Sequence, residues 1–126
     1  NNPDVTRKIN HLGSLGLARA AKDAGIRRFV YTSSCSVYGV GSNDILTEQD
    51  PTNPQTAYAQ CKVRVERDVA LLADQNFSPT FLRNATAYGA SPRMRFDIVL
   101  NNLSGLAWTI KKIAMGTTNM TSARVH

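Results

Sequence analysis

The chain has 126 residues, 42% of them hydrophobic and 19% charged, a balance that excludes a disordered polymer and makes one compact unit the expectation. No apolar run approaches the roughly 20 residues needed to cross a bilayer, and no signal-peptide pattern opens the chain, so membrane and secreted readings are set aside. Fifteen Lys and Arg against nine Asp and Glu give a formal charge of +6, which suits a nucleic acid or a phosphorylated small ligand.

The basic residues are scattered as Arg27-Arg28, Arg83, Arg93, Arg95 and Lys111-Lys112. There is no dense run and no interleaving of aromatics, so a nucleic-acid partner is not expected. Cys35 and Cys61 are too few for a disulfide scaffold and lack the spacing of a zinc site, which points to a reducing cytoplasm and to inert small side chains. His11 and His126 stand without partners at metal spacing, and no metal is expected.

The first predicted element is a helix over about residues 3–24. Asn2 suits its cap, Pro3 its first position, and Asp4 the positive end of its dipole. Ile9, Leu12 and Leu15, with the small residues Gly13, Gly16 and Ala20, recur at helical spacing and form a face that allows close packing. Gly25 is the expected stop. Arg28 to Thr32 is short, aromatic and β-branched, and reads as a buried strand.

Residues 34–54 contain Gly39, Gly41, Ser42, Asn43, Asp44, Pro51 and Pro54 and predict a long loop; loops of that length in a compact domain are usually functional. A second helix is predicted over about 55–75, with Val65, Val69 and Leu72 on its inner stripe and Arg64, Arg67 and Asp68 outside. Thr80 to Leu82 gives a second strand ending at Arg83-Asn84. A third helix is predicted over about 95–113, with Ile98, Val99, Leu103, Leu106 and Ile110 inward. The tail from Gly116 to His126 predicts no element.

A strand, a long helical crossover and a second strand imply parallel pairing and a right-handed connection, hence an α/β layered fold. Two strands make a poor sheet, so the chain is expected to be part of something larger. In such a sheet, functional groups collect beyond the carboxyl ends of the strands. The residues falling there are Thr32 to Ser36 and Arg83 to Thr86, joined by Tyr58 to Lys62 at the start of the second helix. Tyr58 and Lys62 are four apart and share a helical face. An ammonium beside a phenol favours the phenolate, which makes Tyr58 a candidate general acid or base. Ser34 is placed to hydrogen-bond the same substrate oxygen.

The run from Phe29 to Gly39, then Thr47-Glu48, Pro51, Pro54 and Tyr58-xxx-Lys62, resembles the extended short-chain dehydrogenase/reductase family, and within it the nucleotide-sugar epimerases. Asn10-His11-Leu12-Gly13-Ser14 is similar to that family's Asn-x-x-Gly-Thr helix. Leu82 to Gly89 and Ser91 to Asp97 look like the loop and helix leading into its sugar-binding region. The resemblance runs in one continuous order over about residues 3–113.

The resemblance implies the C-terminal half of a doubly wound parallel Rossmann sheet, truncated at both ends. The start of a substrate-binding region is expected from about residue 84. The implied cofactor is NAD, with NADP not excluded, and the implied substrate is a nucleotide sugar. Tyr58 would be the acid/base on the sugar hydroxyl. Lys62 would hold the nicotinamide ribose, Ser34 would orient the reacting oxygen, and Ser33 and Asn10 would lie against the cofactor. The backbone at Ala85 would face the carboxamide; Ser36, Thr86 and Arg95 would approach the substrate. A homodimer through the helices at about 3–24 and 55–75 is also implied.

The family's Gly-x-x-Gly-x-x-Gly turn, which cradles the pyrophosphate, belongs upstream of Asn1. Cys35 and Ser36 stand where the family's dehydratases carry an aspartate and a glutamate, so elimination of water lacks its acid pair. Glu48 is read as pinning its loop. The expected function is therefore NAD-dependent epimerase-like catalysis. A related short-chain reductase or dehydrogenase, or a non-catalytic dimerising fragment, are the alternatives.

Overall fold

The computed structural model describes residues 2–40 and 45–111. Gly41, Ser42, Asn43 and Asp44 of the expected loop, and everything from Lys112 through the tail to His126, lie outside the described residues. The order is α1 (Pro3–Arg7), a π-helical stretch (Lys8–Gly13), α2 (Ser14–Asp23), β1 (Arg28–Ser34), a 3-10 turn (Cys35–Tyr38), α3 (Ala57–Ala70), β2 (Ser78–Asn84) and α4 (Val99–Ile110). The chain divides into two compact units, the first running to Ala85 and the second starting at Thr86.

The first helical run begins as its sequence predicts. The Asn2 side chain accepts from the N–H groups of Asp4 and Val5, and Pro3 fills the position where no N–H is needed. The π-helical stretch was not legible. Its cause is local: the Asn10 side-chain amide donates to the Thr6 carbonyl at 3.1 Å, the acceptor that an α-helical Asn10 N–H would use. A side chain entering the ladder in this way widens the turn. The run ends at Ala24, and Gly25 follows with φ of +76°, the left-handed stop that suits glycine.

β1 and β2 pair in parallel, from Arg28 opposite Ser78 to Ser34 opposite Asn84. Alternation sends Phe29, Tyr31 and Ser33, with Pro79, Phe81 and Arg83, to one face. The core forms there from Ala18, Val65, Val69 and Phe77, with Leu15, Ala21, Phe29, Tyr31, Leu72 and Phe81 packed against it. Val65, Val69 and Leu72 thus lie where the helical stripe predicted. The opposite face of the sheet leaves Val30 and Leu82 exposed. Lys22 closes the far side: its ammonium donates to the Leu72 carbonyl at 2.7 Å and pairs with Asp74 at 2.6 Å.

The first helical run leaves its apolar stripe outward, and in the last helix the expected start and inner face need correction. Ile9, Leu12, Gly13, Gly16 and Ala20 are exposed, and the residues α1–α2 and the π stretch bury are His11 and Ala18, which meet α3. In the second unit the helix starts at Val99 rather than Arg95. Asn101 donates to the Arg95 carbonyl and accepts from the Gly89 N–H, while Asn102 donates to the Phe96 carbonyl. These amide side chains tie residues 95–97 into a turn and prevent an earlier start. Val99, Leu106 and Ile110, expected inward, are exposed, whereas Asn101 is buried.

Candidate active site

The site is built at the carboxyl ends of β1 and β2, where α3 begins. Thr56 caps α3 by accepting from the Ala59 N–H at 3.1 Å, and Tyr58 sits in the first turn with 42% of its surface exposed. One turn later Lys62 is buried. Its ammonium donates to the Thr32 carbonyl at 2.8 Å and lies 4.5 Å from the Tyr31 ring centre and 5.4 Å from that of Tyr58. Two aromatic faces and a carbonyl hold the charge in place of water. An ammonium carries three N–H donors, so two remain beside the Tyr58 ring.

Ser34 ends β1 and caps the 3-10 turn. Its oxygen accepts from the Ser36 N–H at 3.2 Å and from the Ser36 hydroxyl at 2.9 Å. With both acceptances made, its own O–H stays free to donate to a bound oxygen. The turn itself is locked by Gly39, whose φ is +59° and where a Cβ would fall 1.9 Å from the Asn53 carbonyl oxygen. That close approach accompanies a bond from the Asn53 N–H to the Val37 carbonyl at 2.9 Å, which draws the loop before α3 onto the serine turn.

Behind these groups lies a charged cluster that spacing alone did not reveal. Glu66, a further turn along the Tyr58–Lys62 stripe, is buried. Arg83 of β2 donates to it through Nε at 3.2 and 3.1 Å and through Nη2 at 2.7 Å. The Arg83 Nη1 donates to the Tyr38 hydroxyl at 2.9 Å and to the Glu48 carbonyl at 3.4 Å, and the guanidinium lies 5.0 Å from the Tyr38 ring centre. The hydrogen bond to Glu66 leads the causes that raise the Arg83 pKa above its ordinary value, so this cation stays charged throughout. At Glu48 the contact is made by the backbone carbonyl. The available signal was the continuation of one stripe from Tyr58 and Lys62 to Glu66.

The remaining expected site residues lie as follows. The Ser33 hydroxyl is buried and donates to Glu66 Oε1, on the face opposite Ser34. The Asn10 amide is occupied by the Thr6 carbonyl. Ala85 follows β2 and is exposed; Thr86, also exposed, opens the second unit. Arg95 is exposed and pairs with Asp97 within that unit, which holds the Asp97 carboxyl below its usual range. The structure therefore places Ser34 and Ser36 at the carboxyl end of β1, and Tyr58 and Lys62 in the first turns of α3, where Lys62 reaches the Thr32 carbonyl of the same strand.

His11, given no role from sequence, is buried and its Nε2 lies 2.7 Å from Asp68 Oδ2. The histidine hydrogen bond is the leading cause that lowers the Asp68 pKa. Among the described residues, the buried polar side-chain atoms without a partner are His11 Nδ1 and the Tyr31 hydroxyl. No group of His, Cys, Asp and Glu among them could hold a metal ion, and none of their helices is long and apolar enough to cross a membrane. Cys35 and Cys61 are both free thiols.

Residues 1–120 match the family model described as the NAD dependent epimerase/dehydratase family. The chain is 30% identical over 110 residues to UDP-glucose 4-epimerase of Bacillus subtilis (strain 168), an alignment covering 85% of this chain and 32% of that protein. Among solved structures, MoeE5 in complex with UDP-glucuronic acid and NAD is 34% identical with a TM-score of 0.66, over 77% of this chain and 32% of that one. A chain from Burkholderia cenocepacia J2315 is 23% identical with a TM-score of 0.73, over 91% of this chain and 38% of that one. That likeness speaks for the fold, which is the expected Rossmann-type α/β arrangement. The chain spans about a third of the length of the curated relatives it matches.

Proposed function

We infer, for a chain that belongs to the NAD dependent epimerase/dehydratase family, that the strand-end site carries the acid–base half of a redox epimerisation of a nucleotide sugar. The observation that carries this reading is the exposed Tyr58 phenol beside the buried, carbonyl-anchored Lys62 ammonium. The likeness to UDP-glucose 4-epimerase and to MoeE5 in complex with UDP-glucuronic acid and NAD supports a UDP-sugar as substrate and NAD as cofactor.

The residues present fit the nicotinamide ribose. Lys62 keeps two N–H donors for a pair of vicinal hydroxyls, and its position is already set by Thr32, Tyr31 and Tyr58. When bound, NAD supplies the hydride acceptor and donor for the sugar carbon. Tyr58 takes the proton of the hydroxyl on that carbon and later returns it. The Lys62 ammonium, 5.4 Å from the Tyr58 ring centre, lies on the same side of α3 as that phenol. Ser34 donates its free hydrogen to the same oxygen, and Ser36 holds Ser34 in that orientation. The backbone at Ala85 serves the carboxamide. Elimination of water is not part of the reaction, because Cys35 and Ser36 supply no acid pair.

In the wider assembly, the exposed stripe of Ile9, Leu12, Gly13 and Gly16 meets a second copy, which makes a homodimer working in the cytoplasm. The deciding experiment for the reaction is Tyr58→Phe in the intact enzyme, assayed with NAD and UDP-glucose. The variant removes one oxygen and keeps the ring. Acid–base catalysis contributes about 10²–10⁴-fold, so kcat falls by that order with an unchanged melting temperature and a shifted basic limb of the pH profile. Near-normal turnover would assign Tyr58 a packing role and overturn the reading.

A further inference from the structure

We propose that Ser33 and Glu66 are positioning residues that hold the end of β1, and with it the serine turn that carries Ser34. The inference rests on the reading of Ser34 and Tyr58 given above, and deepens it. Two successive turns of α3 grip two successive residues of β1: Lys62 takes the Thr32 carbonyl at 2.8 Å, and Glu66 takes the Ser33 hydroxyl. Tyr58, Lys62 and Glu66 are spaced four apart, so the helix face that bears the phenol is the face that holds the strand.

The Ser33 hydroxyl donates to Glu66. It is 5% exposed and points inward, and its strand neighbour Ser34 points to the other face. Fixing Ser33 inward therefore fixes Ser34 outward. Glu66 cannot drift from this position, because Arg83 grips both of its oxygens and is itself held by Tyr38 and the Glu48 carbonyl. Arg83 is also the residue paired with Ser33 across the sheet. The clamp thus joins α3, β1, β2 and the serine turn at the level immediately behind the candidate site.

A residue that acts through Ser34 should lose its effect once the Ser34 hydroxyl is gone, which a merely structural residue would not do. Glu66→Gln unpairs Arg83 and can unfold the protein, so the cleaner variant is Ser33→Ala, which leaves Glu66 and Arg83 together. In the intact enzyme with NAD and UDP-glucose, Ser33→Ala should lower kcat about 10-fold, the scale of a hydrogen bond to a charged group, with KM little changed. In a Ser34→Ala background the same substitution should cost about 2-fold or less. Amide hydrogen exchange without substrate should rise at Ser34 to Ser36 and stay unchanged in the middle of α3.

Full additivity of Ser33→Ala and Ser34→Ala, or unaltered exchange at Ser34 to Ser36, overturns the positioning role. If Tyr58→Phe and Ser34→Ala are themselves silent, the reaction proposed above fails instead. The two failures are therefore distinguishable.

Discussion

The two ends of the β1–β2 sheet are opposites. At the amino end, Arg27, Arg28, Gln75, Asn76 and Ser78 rim an open concavity of about 530 Å³ over the Phe77 edge. At the carboxyl end Lys62, Glu66, Ser33 and Tyr38 are buried and interlocked. The amino end has volume without placed chemistry. Burying a charge is costly unless its partners are supplied, so a chain that buries Lys62 and Glu66 in successive turns has arranged partners for both. Strand geometry gives the direction: carboxyl ends gather the loops that follow them, and there the serine turn and the start of α3 meet.

The largest effect that sharpens this contrast comes from Glu66→Leu. It leaves the half-buried Arg83 without its carboxylate, and breaking such a pair costs up to about 3 kcal/mol. Arg27→Ala at the amino end removes an exposed side chain and should stay within about 0.5 kcal/mol. Equal losses in denaturant melts of the intact protein would erase the distinction between the two ends.

Lys62→Met comes next. It preserves much of the stem while removing the ammonium that Thr32, Tyr31 and Tyr58 surround. NAD affinity and kcat should each fall about 10-fold or more, read by titration calorimetry and by steady-state assay. Lys62→Arg should not rescue either, because a planar fork does not replace a compact charge. Rescue by arginine would show that only the sign of the charge matters there.

A smaller effect tests the loop that delivers the serine turn. Gly39→Ala places a Cβ against the Asn53 carbonyl at a positive φ, so the Val37–Asn53 junction must open, at about 1–3 kcal/mol. Gly16→Ala, at a helical position with open space around it within one copy, should instead stabilise the monomer by up to about 1 kcal/mol, read at dilutions where the copies separate. Opposite signs in thermal melts are expected for the two glycine substitutions.

These contrasts also show what could be read from the sequence. Local relations were legible: the Asn2 cap, the Gly25 stop, the Val65–Val69–Leu72 stripe and the Tyr58–Lys62 spacing each lie within one element. The partners of Glu66 were not. Ser33 is 33 residues away, Tyr38 joins through Arg83, and Arg83 reaches Glu66 only once the two strands are in register. Asn101 and Asn102 show the converse failure. Apolar periodicity extended the last helix to Arg95, but side-chain amides competing for backbone carbonyls stopped it at Val99. The Ile9–Leu12 stripe was visible as a pattern, yet periodicity carries no sign of whether a face meets its own chain or another.

The smallest expected effect concerns the pair that joins the π-helical stretch to α3, and its sign follows from linkage. Asp68 has its pKa lowered in the folded protein, first by the hydrogen bond with His11, with Arg67 adding to it and burial opposing. A group with a depressed folded pKa contributes stability above its unfolded pKa and loses it as pH falls through the folded value. The Asp68 contribution should therefore be present at neutral pH and disappear below the ordinary carboxylate range. Arg67 on the same carboxylate is exposed and contributes little, so the pair with His11 accounts for most of the effect. Asp68→Asn should cost about 1 kcal/mol or less at pH 7, and the gap from the parent protein should close as the pH falls toward 3. The His11 Nδ1, buried without a partner, offers no second anchor to offset the loss. Urea melts of both proteins across that pH range test the assignment, and a gap that widens in acid would mean that the carboxylate is not the group His11 holds.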